Sequence, residues 1–337
     1  MGIALQGGGA YGAFTWGVLD RLLEIDELVA EGIVGTSAGA VNAVVTAYGL
    51  HVGGKEEARR LLETLWKKIS LTSNPFYKPS FFDFFFSGGD IHNSPGYLFM
   101  SSLTQKFSPY QLNPANINPL KEILSSIVDF DELRKFNKKK LFICATNVKS
   151  NRARIFSNEE ITLDAVLAST CLPNLFQSVE IDGEYYWDGG FMGNPPLFPL
   201  IESTNLNDIL LVKLNSINID ETPQNSIDIE NRIAEISFNS SLISEMKMIN
   251  FRNKLIRSGF NLEEFNQNKE VFIHLISSHE VTRNLKYSSK LNTSWDFLLY
   301  LKEKGREYTD IWIKNEYDKV GKTSSFDIEE NFFNKFK

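Results

Sequence analysis

The 337-residue sequence predicts an α/β protein with a mostly parallel central sheet. Three observations predict it. Short apolar runs alternate with segments of helical spacing, as strands alternate with helices in such folds. Two of those runs end in glycine-rich turns that lead straight into helices. The apolar content, 42% of residues, is enough for a large core.

The elements follow in order. Gly2–Gln6 (GIALQ) reads as a short buried strand running into Gly7–Gly9. Phe14, Val18, Leu19, Leu22 and Leu23 then recur at helical spacing, predicting a helix to about Glu27. Gly32–Gly35 (GIVG) is a second strand, cut off by GTSAG. The following AVNAVVTAYGL is apolar nearly all round, so it reads as a buried helix. Glu56–Lys68 forms a charged amphipathic helix. Ser73–Gly89 changes character: Pro, Gly and seven aromatic residues crowd together without a period, which predicts an irregular excursion. Leu141–Val148 and Ala153–Ser157 read as paired strands, and Thr162–Thr170 as a helix stopped by Pro173. VEIDGEYYWDGG is a hairpin turning at Asp182-Gly183, a favoured pair for a two-residue connection. Asp208–Ser216 is a further buried strand, and a polar loop runs from Ile217 to about Asp228. The remainder is mostly helical: Ile229–Arg257, then the strand Val271–Ser277, then a long helix from Ser294 to Lys319. The expected organisation is a core over 1–216 and a largely helical extension over 217–337 that packs on it.

Composition excludes several classes. The formal charge of −7 provides no basic field to attract nucleic acid. Cys144 and Cys171 lie in apolar contexts and read as buried reduced thiols, which makes an intracellular, cytoplasmic chain the simpler expectation. No basic-then-apolar N-terminal stretch marks a signal peptide. The longest apolar stretch is well short of a bilayer span, so the expected membrane contact is peripheral. The aromatic residues of 73–89 read as a lid, a membrane anchor, or a buried satellite core or subunit interface, of which burial is the commonest fate of large aromatics.

Chemistry concentrates in three places. GTSAG fits the G-x-S-x-G elbow, with Ser37 at a sharp strand-to-helix turn. Side chains at Gly35 or Gly39 would collide with that turn, and the helix that follows points the N–H of Ala38 toward developing negative charge. Gly7, Gly9 and Gly12 match the G-x-G-x-x-G fingerprint of dinucleotide binding. That reading, an oxidoreductase, needs an acid at the tip of the second strand, where this chain has Gly35-Thr36-Ser37. A P-loop is excluded because no G-K-[S/T] follows the glycines. An oxyanion loop for acyl transfer fits better: preorganised N–H donors are worth roughly 3–4 kcal/mol each. The third place is WDGG, where Asp188 follows an aromatic-rich strand. Taken alone, Asp188-Gly189-Gly190 reads as an ordinary turn, but an apolar setting there would make a carboxylate a useful base. His274 lies in an apolar strand and reads as structural, and His279 is the histidine that a conventional Ser–Asp–His order would use.

GGGAYG, GTSAG and DGG, in that order, resemble the patatin-like phospholipase family over roughly Ile3 to Ser216. The resemblance implies a three-layer α/β/α sandwich and calcium-independent hydrolysis of lipid acyl esters, with no cofactor and no metal. It implies a Ser37–Asp188 dyad without histidine, Gly7, Gly8 and Gly9 as oxyanion donors, and a membrane phospholipid or other acyl lipid as substrate. A non-catalytic lipid-binding protein on the same fold is the other reading. One departure stands out: the family usually has Arg or Lys at the fifth loop position, and this chain has Tyr11.

Overall fold

A computed structural model describes residues 1–25, 30–72, 91, 94–203, 207–219, 221–260 and 269–333. Eight strands form one sheet: β1 (Gly2–Leu5), β2 (Gly32–Thr36), β3 (Lys140–Asn147), β4 (Arg152–Ser157), β5 (Val179–Ile181), β6 (Glu184–Asp188), β7 (Asp208–Lys213) and β8 (Phe272–Ser277). The order is β5-β6-β3-β2-β1-β7-β8, with β4 also paired to β3. β3, β2, β1, β7 and β8 are mutually parallel, and β4, β5 and β6 form the antiparallel end. The parallel strands are buried and apolar because helices cover both faces.

Alternate residues of each strand feed two cores. Ile3, Leu5, Ile33, Leu210 and Val212 face helices α1 (Gly12–Leu22), α2 (Ala38–Val52) and α3 (Gly54–Thr72) and the helix Trp295–Glu316. Ala4, Val34, Ile209 and Leu211 face the helix Ser226–Arg257. The 217–337 region therefore adds both the edge strand β8, in register with β7, and a helix on each face. α1 and the Trp295–Glu316 helix approach closely, since side chains on Gly17 or Gly305 would strike the opposing backbone. Asp20 and Glu24 of α1 are clamped by Arg59 and Arg306.

Most expected elements are present, with informative differences. α1 ends at Leu22, short of the expected Glu27, which is outside the described residues. The helix after the polar loop starts at Ser226, where the Asn225 side chain accepts the Asp228 N–H. Four short helices occupy Pro95–Leu133, for which periodicity predicts nothing. The aromatic excursion over 73–89 lies outside the described residues. Among the described residues no helix is long and apolar enough to cross a membrane. Both cysteines are buried free thiols, as expected.

Candidate active site

The strand pairing explains how residues far apart in sequence meet. β4 takes one edge of β3 along Phe142–Asn147. β2 and β6 must share the other edge: β2 pairs with Lys140–Cys144 and β6, running oppositely, with Ala145–Asn147. The two strands therefore meet end to end, Thr36 opposite Cys144 and Asp188 opposite Ala145. Ser37 and Asp188 each stand at the junction. A side chain on Gly189 would strike the Cys144 carbonyl, so the strand end can lie this close only with glycine there.

Ser37 has φ 55° and ψ −124°, a strained conformation for a residue with a side chain. Holding it costs of the order of 1–3 kcal/mol. The surroundings over-determine it: its N–H donates to Ser169 Oγ at 3.0 Å, and its carbonyl accepts the Val41 N–H. A Cβ on Gly35 would lie 2.5 Å from the Gly39 carbonyl, and one on Gly39 would strike Leu5. Ser37 is partly exposed, whereas Asp188 is fully buried.

Asp188 is fixed through its backbone, its N–H donating to Cys171 and its carbonyl accepting the Thr146 hydroxyl. Oδ1 accepts the Gly190 N–H at 2.8 Å. Oδ2 is buried and accepts no hydrogen bond from a described residue. Burial pushes the carboxyl up to about 7, and the Gly190 N–H and the Ser37 side chain offset part of the effect. The same burial, and then the Asp188 charge, pushes the Cys171 thiol up to about 12 and the Cys144 thiol higher still, so neither is a ready nucleophile.

β1 lies beside β2, which brings the glycine loop to Ser37: a Cβ on Gly7 would stand 2.7 Å from Ser37 Cβ. The loop departs from expectation at Gly7, whose N–H donates to Asn194 Oδ1 at 2.7 Å and is thereby occupied. The N–H groups of Gly8 and Gly9 donate to no described residue, and Gly9 and Ala38 line the cleft that Ser37 opens into. Gly9 has φ 59°, and a side chain there would strike the Lys290 carbonyl.

Buried amides hold this loop, and sequence reasoning missed them. Gln6 Oε1 accepts the Leu214 and Asn215 N–H groups, and its Nε2 donates to the Asn194 carbonyl. Asn215 Nδ2 donates to the Gly7 carbonyl. Asn194 and Asn215 have sequence signals only as polar residues next to apolar runs, which many loop residues share.

The cleft has a volume of about 570 Å³. Val41, Trp66, Ile69, Leu120, Ile123 and Phe176 are among its apolar walls, and Lys290 is its one charged residue among the described residues. His274 and His279 stand elsewhere. His274 Nε2 donates to the Asp208 carboxylate at 2.9 Å inside the sheet, the structural role expected. His279 pairs with Ser216 Oγ at 2.8 Å and is not among the residues lining the cleft, so it completes no Ser–Asp–His triad.

The family model for patatin-like phospholipase matches residues 3–201. The chain belongs to the patatin-like phospholipase family. The match ends before β7, so the family relation covers the loop, the elbow, β6 and Asp188, but not β7, β8 or the long helices after them. None of the curated proteins searched matches the chain significantly. Among solved structures, VipD from Legionella pneumophila is similar at 17% identity and a TM-score of 0.40, covering 90% of this chain and 67% of VipD. ExoU from Pseudomonas aeruginosa, in complex with SpcU, is similar at 15% identity and a TM-score of 0.32. That likeness covers 92% of this chain and 52% of ExoU, so the chain spans about half of ExoU's length.

Proposed function

We propose that the protein is a lipid acyl hydrolase, a serine esterase of the phospholipase A type, working through a Ser37–Asp188 dyad. The observation that carries the reading is the strained, partly exposed Ser37 beside a fully buried carboxylate, at the mouth of an apolar cleft.

The acyl chain occupies the apolar cleft, with its ester carbonyl over Ser37. Asp188 accepts the Ser37 proton while Oγ attacks the carbonyl carbon. The oxyanion receives N–H donors from Gly8, Gly9 and Ala38, while Gly7 serves through Asn194 to hold the loop in shape. Collapse of the tetrahedral adduct breaks the ester C–O bond, and Asp188 returns the proton to the departing alcohol. Asp188 then takes a proton from water, whose oxygen attacks the acyl-enzyme, and the fatty acid leaves as Ser37 regains its proton. A carboxylate is a weak base in water, and the buried setting that lifts Asp188 toward 7 makes it an effective one. This chemistry uses no metal and no cofactor.

The decisive test is covalent labelling with a fluorophosphonate probe. The intact protein becomes labelled at Ser37 and hydrolyses acyl esters, and Ser37→Ala abolishes both. A protein that neither labels nor hydrolyses would be a lipid-binding module on the same fold.

A further inference from the structure

Beside the apolar cleft lies a second cavity of about 800 Å³, a size typical of small-molecule sites. Its character is polar, and its walls come from 214–235 and 279–290, with Tyr11 the one contributor from the region matched by the family model. The two cavities adjoin. Gly9 and Ala10 line the apolar one, the next residue, Tyr11, lines the polar one, and Lys290 lines both.

Four cationic side chains, Arg232, Arg283, Lys286 and Lys290, line the polar cavity with three acidic ones, Glu221, Asp228 and Glu235, and His279, and Arg283 also pairs with Glu280 at 3.0 Å. Glu235 serves two of the cations, taking Arg232 at 3.3 Å and Lys290 at 2.9 Å. A half-buried pair of cations sharing one carboxylate gains from a second anion, because desolvated charges bind strongly only when fully matched.

Lys290 is held where such an anion would meet the reacting ester. Its Nζ lies 4.4 Å from the Tyr287 ring centroid and 5.8 Å from that of Tyr11. Tyr11 is tied to Ser289 by a 2.6 Å hydrogen bond, and the Lys290 carbonyl packs on Gly9. The cation is thus anchored on the glycine loop itself, at the position where the loop's own fifth residue is Tyr11 rather than Arg or Lys.

Resting on the hydrolase reading for its substrate, we propose that this chamber receives the phosphate-bearing head of the acyl lipid, with Lys290 as the specificity residue that takes the phosphate. The acyl chain lies on one side of the partition and the glycerophosphate on the other. The preferred substrates are then phosphoglycerides rather than neutral glycerides.

The test uses full-length Ser37→Ala protein in calorimetric titrations with sn-glycerol 3-phosphate, glycerol and inorganic phosphate. Glycerol 3-phosphate binds and glycerol does not. Adding Lys290→Met weakens binding at least tenfold, and Lys290→Arg restores it to within about threefold. Should Lys290→Met fail to fold, the double variant Lys290→Met/Glu235→Gln, which removes both partners of the pair, carries the same expectation. Absence of binding, or binding indifferent to these changes, overturns the proposal. Inorganic phosphate binding as tightly as glycerol 3-phosphate also overturns it, in favour of a free-anion site. In the enzyme with Ser37 intact, Lys290→Met lowers the ratio of kcat/KM for a phosphatidyl lipid over a diacylglycerol of the same chains at least tenfold. Binding without any hydrolysis would refute the hydrolase reading and leave the chamber standing.

Discussion

Replacing Asp188 by Asn separates the cost of the buried base from its use. The carboxyl stands about three pH units above its ordinary 3.8, and each unit corresponds to about 1.36 kcal/mol. Its folded pKa exceeds its unfolded one, so below about pH 4 both states are protonated and the group costs nothing. Between 4 and 7 the unfolded chain gives up a proton that the folded one keeps, and stability falls as pH rises. Above 7 the penalty levels off at about 4 kcal/mol as an upper figure. Asn keeps an oxygen for the Gly190 N–H but leaves a buried NH2, at a cost of about 1–3 kcal/mol at every pH. Urea unfolding of both proteins at pH 4.5 and pH 8, followed by tryptophan fluorescence, isolates the titration. Glu245, pushed up to about 7 by burial, and Lys213, lowered to about 8, are common to both proteins and cancel. The stability of Asp188→Asn relative to wild type should rise by about 3 kcal/mol from pH 4.5 to 8, while hydrolysis falls about 10²–10⁴-fold. An equal stability difference at the two pH values would refute the argument that burial destabilises the ionised Asp188.

Two further expectations follow from the same geometry. With a base of pKa about 7 that must be ionised to act, kcat/KM for a short p-nitrophenyl ester rises with pH along a single-ionisation limb centred near 7; a limb centred near 4 would contradict the buried setting. Asn194→Ala leaves the Gly7 N–H without its 2.7 Å acceptor, so it should lower kcat about 10–100-fold with little change in KM and destabilise by about 1–3 kcal/mol in urea unfolding; wild-type kinetics would show that the loop holds its shape without Asn194.

Local chemistry was readable wherever a few neighbouring residues decide the outcome. GTSAG specifies its turn because Gly35 and Gly39 leave no room for side chains and Ser37 must sit at positive φ. Asp182-Gly183 turns its hairpin for the same kind of reason, both residues having positive φ. The four helices over 95–133 escaped a search for hydrophobic period because they are short. Three of them carry a signal, Ser94-Pro95, Ser108-Pro109 and Asn118-Pro119, a capping residue followed by proline at the first helical position, and the fourth is capped by Asp129.

By itself the sequence determined the α/β class, the turn that exposes Ser37, the glycine loop and the family to which they belong. Only the tertiary structure decided what those pieces face. Ser37 and Asp188 stand at one junction because β2 and β6 share one edge of β3, an arrangement set by pairing between segments far apart in sequence. The Gly7 N–H is taken by Asn194, and Lys290, from the other end of the chain, stands beside Tyr11 of the loop. Backbone turns are governed by sterics between neighbours and can be read locally. Buried charge, hydrogen-bond occupancy and cavity walls depend on which distant segments exclude water together, and that is settled only when the chain packs.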